Sequence, residues 1–144
     1  MQPADLRSAK IGFVVFRVMT PAPDGLPVVG RSARTLGVRI PVDIAPDAQG
    51  LVHPGTGGMS VAPDLWSLPN HRRPRAMGRG SSGPSVDRVF ATDQSTFAAA
   101  DLHVRPDPEA PALHLFVEPR SCVSIAGYEA SLESTRAQWV QAWP

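Results

Sequence analysis

Apolar residues gather into two dense runs, and proline and glycine break up most of what lies between them. Residues Ile11 to Met19 are mainly β-branched and aromatic, which predicts a buried strand interrupted near its end by Arg17. Ala112 to Glu118 predicts a second clear strand, stopped by Pro119. Thr20 to Gly25 reads as a turn, and Pro27 to Gly30 as a short extended piece. Leu36, Val38, Ile40 and Val42 alternate with Gly37, Arg39 and Pro41, predicting a half-exposed strand that Pro41 pushes to a sheet edge. From Ala45 to Ser85 regular structure is sparse: a short strand at Met59–Ala62, a helical turn at Asp64–Leu68, and a mobile surface loop from Asn70 to Pro84. Val86 to Thr92 predicts a strand, Ser95 to Leu102 a short helix capped by Asp93 or Ser95, and Pro106 to Pro111 a turn. Tyr128, Leu132, Thr135, Trp139 and Trp143 recur on one face of a 3.6-residue period, which predicts a long C-terminal helix with Ser124 as N-cap. Its polar face carries Glu129, Glu133 and Arg136, the last two spaced for a weak pair. The pattern is α+β, with five or six short strands and one long helix.

Composition adds limits. The 144 residues fit one domain spanning 1–144, and 42% of them are apolar. Sixteen prolines are about twice ordinary usage and predict short elements joined by stiffened loops. A net charge of +1 argues against a polyanionic partner. Cys122 is the single cysteine, which excludes an internal disulfide and suits a reducing cytoplasm. Met1 to Lys10 lacks the pattern of a secretory signal, and no stretch approaches a membrane span, so a cytoplasmic location without membrane contact is expected.

Candidate chemistry lies in the segment Gly50-Leu51-Val52-His53-Pro54-Gly55-Thr56-Gly57-Gly58-Met59-Ser60-Val61. Closely spaced glycines let backbone N–H groups approach a phosphate with no Cβ in the way. Arg17 stands within one apolar strand and Glu118 ends the other. A buried guanidinium needs partners, so Arg17 either contacts a ligand phosphate or ribose, reaches water at an edge, or pairs with Glu118. Ser60 serves a turn or a binding site; Glu118 is solvated, or it faces a cleft where it stabilises an oxocarbenium-like centre as carboxylates do in glycosyl transfer. His53, His71, His103 and His114 show no metal-ligand spacing, so no metal is expected. Arg72, Arg73, Arg75 and Arg79, with Trp66 and His71 nearby, form either a solvated loop or a nucleic-acid contact, and the near-neutral chain favours the former.

The glycine-rich segment, the opening strand with Phe16-Arg17, and the run from Val117-Glu118-Pro119 to Thr135-Arg136-Ala137-Gln138-Trp139 together resemble the growth-arresting Tse effectors of type VI secretion. That resemblance implies an ADP-ribosyltransferase-like fold, with two small split β-sheets around an NAD cleft. It implies NAD as cosubstrate, with Glu118 as the catalytic residue polarising the ribose. It assigns cofactor binding to Arg17, His53, Thr56, Gly57, Gly58 and Ser60. It further implies cleavage of the nicotinamide–ribose bond, modification of a macromolecular acceptor inside a target cell, and a cognate immunity protein as partner. Two departures narrow it: Met59 and Ala62 flank Ser60 where the family motif has an aromatic and a Ser or Thr, and Phe116 stands where arginine-modifying members carry Glu or Gln. Arginine as acceptor is therefore disfavoured. NAD hydrolysis, another acceptor, or a catalytically degenerate binding module of the same fold stay open.

Overall fold

The computed structural model describes residues 14–143. Within them the chain is mixed α+β, and three small antiparallel sheets carry the core. The first sheet orders its strands β1 (Val14–Met19), β4 (Arg88–Asp93) and β8 (Val140–Trp143), with β4 in the middle. A second joins β3 (Met59–Val61), β6 (Leu115–Pro119) and β5 (Leu102–Pro106), with β6 in the middle. Between them in the chain, β2 (Leu51–Val52) pairs with β7 (Val123–Ser124). One bridge connects the two larger sheets: Phe16 and Ala62 exchange both backbone bonds, at 2.9 and 2.8 Å. Two helices complete the fold, α1 (Ser95–Ala99) and α2 (Ile125–Ser134).

Alternation along the strands explains the core. Met59, Val61, Leu115, Val117, Leu102 and Val104 all face inward and are buried, because residues two apart share a sheet face. Tyr128 and Leu132 of α2 pack onto them, together with Trp139, whose ring meets Phe97 of α1 edge-on with centroids 5.9 Å apart. The Tyr128 hydroxyl accepts from Met59 N–H at 3.1 Å and donates to Val117 C=O at 2.5 Å. It thereby ties α2 to the β3–β6 pair, and burial pushes its phenol pKa upward.

Several expected elements stand where the pattern puts them. These are the strand through Val14–Met19, the short strand at β3, the strands β4 and β6, and the turn at Leu65–Ser67, whose cap Asp64 accepts from Trp66 and Ser67 N–H. Ser124 caps α2 by accepting from Gly127 N–H, and Asp93 accepts from Ser95 N–H before α1. Residues 11–13 of the first expected strand lie outside the described residues.

Four expectations are corrected. The long C-terminal helix is ten residues, ending at Ser134. Thr135 donates to Leu132 C=O and accepts from Trp139 Nε1–H, a turn at Arg136–Gln138 follows, and Val140–Trp143 then pairs with β4. The edge of β4 offers that segment backbone partners, so sheet pairing overrides the helical spacing of Trp139 and Trp143. Arg136 bonds Asp24 and Pro27 C=O instead of Glu133. Leu36–Val42 is irregular rather than a strand, although Leu36 and Val38 are buried. Asn70–Pro84 is organised from within: buried Arg73 donates to Leu68 and Arg79 C=O, Ser81 Oγ and Asn70 Oδ1. The guanidinium groups of Arg73 and Arg79 also lie 5.0 and 4.3 Å from the Trp66 ring centre.

Candidate functional site

Arg17 sits between Val15 and Met19 on the core-facing side of β1 and is only 6% exposed. An unpartnered guanidinium there would be very costly, and the chain supplies carbonyls in place of a carboxylate. Nε and Nη2 donate to Thr35 C=O at 3.1 and 2.9 Å; Nη2 also reaches Ser32 and Gly37 C=O, both at 3.3 Å. Nη1 donates to Ser60 C=O at 2.7 Å and keeps a second N–H with no acceptor among the described residues. Arg17 therefore neither snorkels to water nor pairs with Glu118. It pins the irregular 32–37 segment, and with it β1, to β3. Desolvation lowers its pKa to about 10, so it remains charged at neutral pH.

Ser60 and Glu118 stand on one face of the second sheet. Ser60 is opposite Phe116, and Glu118 is two residues further along β6, so all three project to the side away from the core. Glu118 is 2% exposed. Its Oε1 accepts from Gly55 N–H at 2.8 Å and from Arg105 Nε at 2.9 Å. Arg105, in register with Phe116, lies with its guanidinium 5.0 Å from that ring.

The glycine-rich segment closes over this end of β6. Gly57 and Gly58 have φ of 138° and 146°, and a Cβ on them would strike the Asp43 and Val117 carbonyls respectively. Only glycine allows so close an approach. Gly58 N–H also donates to Asp43 C=O at 2.9 Å. His53 turns away from Glu118: its Nε2 meets Asp47 Oδ2 at 2.7 Å, with Cys122 Sγ at 3.8 Å. Thr56 Oγ donates to His53 C=O at 2.7 Å, closing a local turn.

Next to Arg17 and Ser60 opens a cavity of about 360 Å³, a size suited to a small ligand. Arg17, Arg39, Arg72, His71 and His114 supply polar groups to its wall, and Leu68, Pro69 and Leu113 supply apolar ones. Asp43 is the single acid on that wall, and Arg39 already holds both its carboxylate oxygens, at 3.2 and 2.9 Å. The wall includes Leu113 and His114, just before β6, but no residue of β6 itself, so Glu118 lies outside it. Two of the three residues Arg17, Ser60 and Glu118 thus meet at the cavity, and the third shares the sheet face with Ser60.

Sequence reasoning missed Arg105 and Arg39, and it weighed Arg72 and His114 for a nucleic-acid contact and a metal site and not for this cavity. For Arg105 a signal existed: Leu102 and Val104 alternate with His103 and Arg105, a short strand whose outward side faces Glu118. Arg39 and Arg72 arrive from loops distant in the chain, while His114 directly precedes β6, and local pattern carries no trace of their convergence.

Among the described residues no cluster of His, Cys, Asp or Glu could hold a metal ion, and no helix is long and apolar enough to cross a membrane. The sequence matches no model of a known protein family and no curated protein.

Proposed function

We propose that the chain is an ADP-ribosyltransferase-like toxin that uses NAD as cosubstrate, breaks the nicotinamide–ribose bond, and modifies a macromolecule in the cytoplasm of a target cell. The observation that carries the reading is spatial: Arg17 binds the Ser60 carbonyl directly, and Ser60 shares one sheet face with Glu118. The split between the β1–β4–β8 and β3–β6–β5 sheets, bridged by the Phe16–Ala62 backbone pair and by the Arg17 bond to Ser60 C=O, is compatible with the cleft such enzymes place around NAD. The adjacent cavity has room and cationic groups for part of a dinucleotide.

Bound NAD supplies a glycosidic bond whose cleavage builds positive charge on the ribose. Glu118 is the carboxylate available to accept a ribose hydroxyl hydrogen bond and stabilise that charge. Arg105 fixes its orientation through Oε1. Arg17 acts as a positioning residue, holding Ser60 and the 32–37 segment where a ligand meets them. Phe116, with Arg105 against its ring, leaves no acid two residues before Glu118, so an arginine acceptor is disfavoured.

One observation favours a second reading, a catalytically silent binding module of the same fold. Glu118 Oε1 is engaged by Gly55 and Arg105, and the residue lies outside the cavity wall. Expression of the parent chain and of Glu118→Gln in a bacterial host separates the two. Gln keeps an oxygen for Gly55 N–H but not the charge. The transferase reading expects growth arrest by the parent alone; equal arrest by both supports the binding module.

A further inference from the structure

The cavity beside Arg17 carries an electrostatic imbalance that the described residues do not resolve among themselves. Arg17, Arg39 and Arg72 converge on it against one carboxylate, Asp43, leaving a local excess of two positive charges. Arg39 is satisfied by Asp43 and Arg17 by backbone carbonyls, apart from one N–H of Nη1. Arg72 is different. It is half-buried on the cavity wall, and its guanidinium makes no ion pair or hydrogen bond among the described residues. The three groups are close enough that Arg72 and Arg39 both disfavour the charge on Arg17, and a bound anion would relieve that repulsion.

We infer that this cavity binds the phosphate groups of a nucleoside diphosphate moiety, with the Arg72 guanidinium as their anchor and Leu68, Pro69 and Leu113 as the surface for the sugar or base. Guanidinium forks match phosphate oxygens bidentately. A single carboxylate would leave one of the two excess charges uncompensated, whereas a diphosphate answers both. Leu113 stands exposed at the rim beside His114, providing apolar contact at the mouth. The inference deepens the NAD reading by moving the phosphate-holding role from Arg17, whose donors are almost spent, to Arg72. It does not need Glu118 to act.

Calorimetric titration of the purified chain with ADP and with adenosine tests it, alongside Arg72→Gln, Arg72→Lys and the surface control Arg75→Gln. Arg72 has no side-chain hydrogen bond or ion pair among the described residues, so its variants should melt with the parent. The expected result is ADP binding that weakens at least tenfold in Arg72→Gln, partly recovers in Arg72→Lys, weakens with added salt, and is unchanged in Arg75→Gln. Adenosine should bind far more weakly than ADP. Absence of ADP binding, equal binding of ADP and adenosine, or ADP binding indifferent to Arg72→Gln would overturn the inference. A nicotinamide-release assay with NAD on the same proteins keeps the two ideas apart. Arg72-dependent ADP binding without release leaves the site standing and removes the transferase. Release that ignores Arg72→Gln leaves the transferase standing and removes the site.

Discussion

At the residue scale, two kinds of residue do unusual work. Arg17 is a buried cation that carbonyl oxygens satisfy, so its removal takes the guanidinium donors from the half-buried Ser60 and Thr35 carbonyls. Arg17→Met is expected to cost about 2–5 kcal/mol of unfolding free energy. Arg17→Lys should recover only part, because one ammonium cannot span both carbonyls. Urea denaturation reads both values, and a loss under about 0.5 kcal/mol for Arg17→Met would contradict the role given to this residue. The glycines divide by what surrounds them. A Cβ at Gly58 would meet the Val117 carbonyl, whereas at Gly55, with φ of 82°, it would meet open space. Gly58→Ala should therefore destabilise by about 2 kcal/mol or more and Gly55→Ala by about 1 kcal/mol, read as thermal midpoints.

At the element scale, the C-terminal segment is held by contacts with distant parts of the chain. Arg136 reaches across to Asp24 at 2.8 and 3.0 Å, tying the Arg136–Gln138 turn to the turn after β1. The hydrogen bond from Arg136, joined by one from Leu26 N–H, pulls the Asp24 pKa below its ordinary 3.8. His114 does the same to Asp107. A carboxylate depressed in the folded state contributes stability that is present above its unfolded pKa and is lost as pH falls through the folded value. The melting temperature is expected to fall as pH drops from about 5 toward 2, and Asp24→Asn to flatten that slope. A slope unaffected by Asp24→Asn would show that the Arg136 contact carries no linkage. What was legible in the sequence is what local chemistry decides: the β-branched runs of β1 and β6, the Asp64 and Ser124 caps, and the proline stops. The Leu36–Val42 alternation misled because Leu36 and Val38 bury from an irregular backbone whose Gly37 carbonyl serves Arg17. Trp139 and Trp143 misled because a turn followed by a strand on β4 reproduces the spacing of a helix face.

At the scale of the whole molecule, the two larger sheets meet at the Phe16–Ala62 bridge and the neighbouring Arg17–Ser60 bond, and the chemistry gathers there. Arg17 comes from one sheet and Ser60 and Glu118 from the other; the glycine-rich segment covers Glu118, and the Asn70–Pro84 region contributes Arg72 to the cavity. The sequence named Arg17, Ser60 and Glu118; the Leu102–Arg105 alternation hinted at the strand that carries Arg105, but nothing local showed that Arg105 would take the Glu118 carboxylate or that Arg72 would stand across the cavity with no partner among the described residues. Those relations span long separations and exist only once the sheets are assembled. The central claim, that Glu118 on this shared face cleaves NAD, is tested most directly by nicotinamide release from purified protein. The parent chain should release nicotinamide, and Glu118→Gln should reduce the rate at least about a hundredfold with its fold intact. Release at equal rates from both proteins, or from neither, would contradict it.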